Sequence, residues 1–327
     1  MMRTIRPLPT PLPQLVDAVQ RYIASRDVSS PFYTAADGLI ILRGEQQRHP
    51  THLVHKPSLC IVVQGAKWTS FGNSKLEYRA GQALVVSLDM PGASQIVEGG
   101  PSEPYLSVII ELDQVAMREI IEQHAPARSR SEAPPNGGAF VIQLEAALID
   151  CALRAVRLLE RPDAIPVLYP LIMREICFWL SAGPHSGHIA RMIVGGDRHQ
   201  GIIKVMQVLR EEFARPFRID ELAALAKLSP SAFHHKFKDL TSLTPLQYQK
   251  QVRLLEARRL MAAGEANVQT AALRVGYESS SQFNREYARM FGAPPRQDIL
   301  RFGEVAMEDK PTGPIFAASA TPATARQ

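Results

Sequence analysis

Residues 218–245, RIDELAALAKLSPSAFHHKFKDLTSLTP, and residues 268–295, VQTAALRVGYESSSQFNREYARMFGAPP, carry one pattern twice. In the first copy Asp220 is placed to cap a helix on which Ala223 and Ala226 are small enough for a second helix to cross close by. Ser229 is placed to cap that second helix, with Pro230 at its first position, and Phe233, Phe237 and Leu240 fall on one of its faces. Phe283 and Tyr287 repeat the spacing of Phe233 and Phe237, Ala272 answers Ala223, Gly276 supplies a permissive turn residue, and Pro245 and Pro294 close the two copies. Helix, tight turn and second helix with an apolar inner face is the geometry that offers the outer face of the second helix to a DNA major groove. Many small helical pairs imitate it once. Two copies with the same aromatic spacing are far more specific.

Between the copies, PLQYQKQVRLLEARRLMAAG places Leu246, Val252, Leu255 and Leu260 among Arg253, Arg258 and Arg259. As one helix from Pro245 to Ala263 it spans about 28 Å. That is close to the ~34 Å between successive major-groove turns, so a stiff connector of this length sets both second helices on one side of a duplex. Charge supports the same segment. The net charge of +5 comes from residues 201–300, which hold 15 Lys and Arg against 10 Asp and Glu, whereas the remainder is neutral. A localised basic segment is the footprint of phosphate binding, although a solvated basic face gives the same count.

The rest of the chain has a different texture. Residues 15–27 have helical spacing. From about 32 to 112, the runs LCIVVQG, KWTSFG, ALVVSL, ASQIVEG and YLSVIIELD are short, rich in β-branched residues and separated by Gly, Pro, Asn and Asp, the pattern of a small antiparallel barrel or sandwich. LDQVAMREIIEQH reads as a helix and 127–138 as an exposed loop. Residues 143–160 and 167–182 are too apolar for solvent-facing helices and are expected to pack on each other, on the barrel, or on a second subunit. Residues 182–200 read as a link between the halves, and the tail from 304 as disordered. The Pro-rich start has no uninterrupted apolar core of a secretory signal, no later run approaches a membrane span, and Cys60, Cys151 and Cys177 lie singly in apolar stretches. A cytoplasmic protein with reduced core cysteines and no membrane partner is expected.

The two motifs, the linker residues Arg253, Leu254, Ala257, Arg258 and Leu260, the VGY turn and the later FG-x-PP together closely resemble the AraC/XylS family of bacterial transcription regulators, over roughly residues 200–300. Upstream, HKPSLCIVVQGAKWTSFG, YRAGQALVVSLDMPG and PYLSVIIELD are similar to the N-terminal domain of one AraC-type subfamily, a cupin-like barrel associated with small-molecule sensing. The resemblance implies an α+β chain. Its expected parts are a cupin-like β-barrel with flanking helices over 1–190, an all-α domain with two helix-turn-helix motifs joined by a linker helix over 198–303, and a disordered tail over 304–327. It implies promoter DNA, a small organic effector and a second copy of the chain as partners, with RNA polymerase as a further candidate, and no cofactor.

On the first recognition helix the family's base-contacting positions match Ser231, His234 and His235; on the second they match Ser280, Ser281, Gln282 and Arg285. The amide of Gln282 suits adenine and the guanidinium of Arg285 suits guanine, while Lys236, Lys238 and Arg289 near the helix ends suit phosphates. Arg258 and Arg259 are expected to form internal ion pairs slightly ahead of DNA contacts. Cys60, Val62, Trp68 and Val85 are candidates to line an effector pocket, against a plain core role.

The competing reading is a cupin-type metalloenzyme with an accessory helical domain, suggested by His49, His52 and His55. Pro50 and Pro57 make that segment an extended loop feeding a strand, and the following strands hold no histidine, so no metal site and no catalytic residue are expected. No G-x-S-x-G, phosphate-binding loop, dinucleotide fingerprint or paired-cysteine motif occurs. A third reading is a DNA-binding adaptor that answers to no inducer.

Overall fold

The computed structural model of the protein describes residues 11–26, 30–124, 137–195 and 197–300. The expected tail from 304 and most of the expected 127–138 loop lie outside these residues. Ten strands form the N-terminal half: β1 (Phe32–Tyr33), β2 (Leu39–Gly44), β3 (Thr51–His55), β4 (Ser58–Gln64), β5 (Ala66–Phe71), β6 (Ser74–Arg79), β7 (Gln82–Val86), β8 (Met90–Glu98), β9 (Tyr105–Glu111) and β10 (Ala139–Gln143). They make two antiparallel sheets, of order β1-β2-β9-β4-β7-β10 and β3-β8-β5-β6.

The expectation of a closed, cupin-like barrel is corrected by this topology. Closure would require edge strands of the two sheets to pair, β1 or β10 with β3 or β6, and no such pairing is formed among the described residues. The chain changes sheets between β4 and β5 at Gly65, whose φ of +79° and close approach to Glu98, where a Cβ would stand 2.3 Å from the carbonyl oxygen, exclude any side chain. The fold class is therefore two open sheets with flanking helices, followed by a largely helical half.

β4 explains why one run of the sequence is continuously apolar. Leu59, Ile61 and Val63 face a helical layer, while Cys60 and Val62 face the other sheet beside Phe71, Tyr78, Leu84 and Val86. A strand covered on both sides needs no polar alternation. The helical layer comprises α1 (Leu12–Ala24), α2 (Gln114–Gln123), α3 (Ala146–Leu158), α4 (Ile165–Ala182) and α5 (Ser186–Val194). Asp113 caps α2 by accepting from the amides of Val115 and Ala116 at 2.9 and 3.0 Å. Leu15 and Val19 of α1, Cys151 and Ala155 of α3, and Ile172 and Ile176 of α4 are buried against the six-stranded sheet and each other. The segment 162–182 is long and apolar enough to cross a membrane, contrary to the expectation that no run approaches that length, and its inner face is buried in this core.

The stretch 182–200, expected as a link, is instead helical: it forms α5 and the start of α6 (Asp197–Glu211). The C-terminal half continues with α7 (Ile219–Leu225), α8 (Pro230–Thr241), α9 (Pro245–Ala262), α10 (Val268–Arg274) and α11 (Ser280–Phe291). One apolar cluster runs without a break from Val62, Leu84 and Val86 of the sheets through Ile202, Val205 and Leu209 of α6 to Phe233, Phe237, Tyr248 and Val252. Polar contacts cross the same boundary. The amide of Gly138 donates to the Leu240 carbonyl at 2.7 Å, the Tyr248 hydroxyl donates to the Asp89 carbonyl at 2.8 Å, and Arg210 pairs with Asp89 at 2.8 Å.

At Gly72, φ is +56° and an added Cβ would stand 2.2 Å from the carbonyl oxygen of Ser242, just past α8. Gly72→Ala is expected to cost about 1–3 kcal/mol through backbone strain and loss of this approach. Gly100→Ala, where a Cβ meets nothing within 4 Å, should leave the urea midpoint unchanged. Equal midpoints for the two variants would show that the halves do not depend on that contact.

Candidate nucleic-acid interface

The two helix-turn-helix units are built from the same parts. The Ser229 hydroxyl accepts from the Ala232 amide at 3.4 Å to cap α8, with Pro230 at the first position, and the Ser279 hydroxyl accepts from the Gln282 amide at 3.3 Å to cap α11. Phe233 and Phe237 are fully buried with ring centroids 5.7 Å apart; Phe283 and Tyr287 are fully buried at 5.5 Å. Both helices end in left-handed residues, Ser242 at φ 60° and Gly292 at φ 76°. The α7 cap differs from expectation: Arg218 is the capping residue, without a side-chain bond, and Asp220 sits in the first turn, where its charge favours the positive helix end.

The turns are not identical. Residues 226–229 separate α7 from α8, but 275–279, one residue more, separate α10 from α11. Lys227 at φ 54° occupies the place that Gly276 fills at φ 85°. Gly276 is obligatory for space, since its Cβ would lie 2.2 Å from the Ala214 carbonyl oxygen.

The 18 residues of α9 span about 27 Å. A capping box fixes its start: the Thr244 hydroxyl accepts from the Gln247 amide at 3.2 Å, and the Gln247 side chain accepts from the Thr244 amide at 2.9 Å. Its basic residues turn inward. Arg253 donates to the carbonyls of Phe213, Ala214 and Gly276 at 2.6, 3.1 and 3.1 Å, joining the end of α6 to the second unit's turn. Arg258 makes a two-bond ion pair with Asp298, each bond 2.9 Å, and the Tyr287 hydroxyl donates to the same carboxylate at 2.7 Å. Arg259 pairs with Glu256 at 2.8 Å and Glu265 at 2.9 Å. Arg253 and Asp298 escaped sequence reading as structural anchors, because their partners lie 11 to 40 residues away.

On the outer faces, Ser231, His234, His235 and Lys238 are exposed on α8 and Lys236 is half-buried. Ser280, Ser281, Gln282, Arg285 and Arg289 are exposed on α11, together with Asn284, which sequence reading passed over. Lys236, Lys238, Arg285 and Arg289 form none of the ion pairs found among the described residues. Gln282 is partly engaged, its amide donating to Glu286 at 3.2 Å, and Glu286 also accepts from Lys250 at 2.8 Å and Tyr277 at 2.7 Å. These hydrogen bonds, with the Lys250 charge, hold the Glu286 carboxyl below its usual range against the opposing effect of burial.

The four residues singled out for an effector do not converge. Cys60 and Val62 face the space between the sheets, Val85 points the other way into the helical layer, and Trp68 on β5 lies under the Lys75 ammonium at 4.5 Å. A cavity of about 300 Å³ does exist between the sheets and α9, lined by Ile40, His52, His55, Cys60, Ile109 and Leu255 among others; of the four, only Cys60 borders it. Burial is the main cause that lowers His52 to about 4 and His55 to about 3, so both rings are neutral at pH 7. The segment around them is the strand β3 rather than a loop, and among the described residues no group of three or more His, Cys, Asp or Glu is placed to hold a metal ion.

Residues 35–188 match the AraC-type transcriptional regulator N-terminus, and residues 222–299 match a helix-turn-helix domain. The chain is 35% identical over 88 residues to the HTH-type transcriptional activator RhaS of Klebsiella pneumoniae (strain 342), and equally to that of Escherichia coli (strain SE11); each match covers 27% of this chain and 32% of the relative. It thus spans about a third of the length of these curated relatives. Among solved structures, ToxT from Vibrio cholerae O395 aligns over 80% of this chain and 96% of its own, at 11% identity and a TM-score of 0.51, which is a likeness of fold. A second ToxT structure, bound to (E)-4-(8-methylnaphthalen-1-yl)but-3-enoic acid, aligns over 80% of this chain and 97% of its own, at 12% identity and a TM-score of 0.50.

Asp298 is the point where α9, α11 and the chain beyond them are tied. Asp298→Ala takes the carboxylate from both Arg258 and Tyr287 in a largely buried setting, and is expected to cost on the order of 3 kcal/mol in chemical denaturation. A loss no larger than that of an exposed pair such as Arg79 with Glu77 would refute the anchoring role.

Proposed function

We propose that the chain is a sequence-specific DNA-binding regulator of the AraC/XylS type, that it reads a promoter with two successive major-groove contacts, and that a small organic effector decides when it does so. Ser231, His234 and His235 of α8 take one groove segment, and Ser280, Ser281, Gln282 and Arg285 of α11 take the next. Lys236, Lys238 and Arg289 hold the phosphates. The observation that carries this reading is the matched burial of Phe233 with Phe237 and of Phe283 with Tyr287, which turns two equivalent helix faces outward from one connecting helix. Residues 1–190 serve as the sensing and pairing part and 198–303 as the DNA-binding part, and the effector enters from the side of Cys60. A ToxT structure of this same fold holds an unsaturated fatty acid, which supports effector control as a property this architecture accommodates.

The working form is a homodimer in the cytoplasm. Val167, Leu168, Leu171, Phe178 and Trp179 remain exposed on α4, an apolar stripe whose natural cover is the same stripe of a second copy. Activation with RNA polymerase as partner is the mode proposed, in line with the activator RhaS, to which 88 residues of the chain are similar.

Arg285→Ala should weaken specific binding and relax preference at one base position, each good base contact being worth about 1–3 kcal/mol. Lys238→Ala should weaken specific and random DNA alike and flatten the salt dependence by about one counterion. Fluorescence anisotropy at several salt concentrations checks both, and equal losses on specific and random DNA for Arg285→Ala would defeat the readout assignment. Leu171→Glu should convert a dimer to a monomer in light scattering; an unchanged mass would move the pairing surface elsewhere.

A further inference from the structure

We propose that the cavity between the sheets and the C-terminal half of α9 binds an uncharged molecule with a body the size of a substituted benzene ring and one hydroxyl group, which is hydrogen-bonded to the ring of His52. The proposal rests on the effector-controlled reading above and supplies what that reading leaves open, the place and the chemical class of the effector.

Three observations define the ligand. The volume, about 300 Å³, lies at the small end of ligand pockets, and Ile40, Leu53, Val54, Ile109 and Leu255 give it apolar walls. Every cation on the wall already faces carboxylates of its own chain: Lys56 pairs with Glu111 at 3.0 Å, Arg258 with Asp298, and Arg259 with Glu256 and Glu265. Three cations against four carboxylates leave no electrostatic gain for an anion that must shed its water to enter. His52 supplies the polar contact. Its ring lines the cavity, and burial keeps it neutral. A neutral imidazole has one donor and one acceptor nitrogen, and a hydroxyl group, which both donates and accepts, suits either one, whereas a carbonyl or carboxylate suits only the donor. The neighbouring His55 adds an enclosed Nε2 without a hydrogen-bond partner, so the polar side of this wall is incompletely satisfied in the absence of a ligand.

The position also gives the ligand something to act on. The His52 ring meets Phe291 of α11 edge to face at 5.2 Å, and Phe291 lies under the Arg258 guanidinium at 4.7 Å, the group bonded to Asp298 and through it to Tyr287. The first unit is fastened elsewhere, by Gly138 to Leu240 and Tyr248 to Asp89. A molecule bound at His52 therefore bears on the second recognition helix and not on the first, and shifts DNA affinity by its preference for one setting of that helix.

Titration calorimetry of the full chain with 4-propylphenol, propylbenzene and 4-propylbenzoate tests this, with promoter-DNA binding measured on the same preparations. The phenol should bind, and propylbenzene and the benzoate should each bind about tenfold more weakly or less, one hydrogen bond being worth roughly that factor. His52→Phe should reduce the phenol to the level of propylbenzene. Ala262→Trp, which fills the mouth from the exposed end of α9, should abolish binding of both and guards against a folding defect in the His52 variant. Benzoate binding as tight as phenol, phenol binding unchanged in both variants, or no phenol binding by a chain that binds promoter DNA would overturn the site. Absence of DNA binding at every salt concentration would instead overturn the regulator reading, whatever the probes do.

Discussion

Phe233 and Phe237 leave water completely by packing on Tyr248, whose ring meets Phe237 edge to face at 5.6 Å, and the same apolar cluster runs on into Leu84, Val86 and Leu88 of the N-terminal half. Burial of an aromatic side chain of this size contributes about 1.5–3 kcal/mol. The first helix-turn-helix unit therefore draws stability from the sheets as well as from its own helices. The Tyr248 hydroxyl, donating to the Asp89 carbonyl, gives the contact a direction as well as an area. Where α8 points is thus a property of the whole molecule.

The second unit is built on another principle. Its aromatic pair belongs to a separate cluster with Leu254, Ala257, Ala271 and Ala272, and polar anchors do the positioning: Arg253 on four backbone carbonyls, Arg258 and Tyr287 on Asp298. Such charge-assisted bonds are strong but depend on geometry, so a small displacement costs much of their energy. One unit is set by packing and the other by hydrogen bonds, and a signal that moves one need not move the other.

Much of the helical half was legible in the sequence because its determinants are local. The aromatic pairs four residues apart, Ser229 with Pro230, and the continuous linker all depend on neighbours within a turn or two of helix. The failures have a common cause in distant partners. Whether the strands close depends on how the sheet edges pair, and the strand that ends the six-stranded sheet, AFVIQ at 139–143, is five residues that no local signal separates from the helix after it. Residues 186–194 looked like a link because Gly and His dominate their start, yet Ile189, Met192 and Ile193 are buried and stabilise a helix. Asp220 lost the capping position to Arg218 by two residues, the usual latitude of helix ends. Of the effector candidates, strand alternation alone would have put Val85 and Cys60 on opposite sides once their pairing was known.

The uninterrupted course of α9 from Thr244 to Ala263 makes it a ruler whose graduations are single residues. Adding one residue to an α-helix advances everything beyond it by about 1.5 Å and rotates it by about 100°. The second reading head would then face away from the groove that the first one occupies. Only an insertion of about seven residues brings it nearly back into phase, and it would then sit roughly 10 Å farther along the duplex. Changes of length in this helix are therefore changes of which binding-site spacing the molecule can straddle, whereas changes of sequence on its solvent side are not.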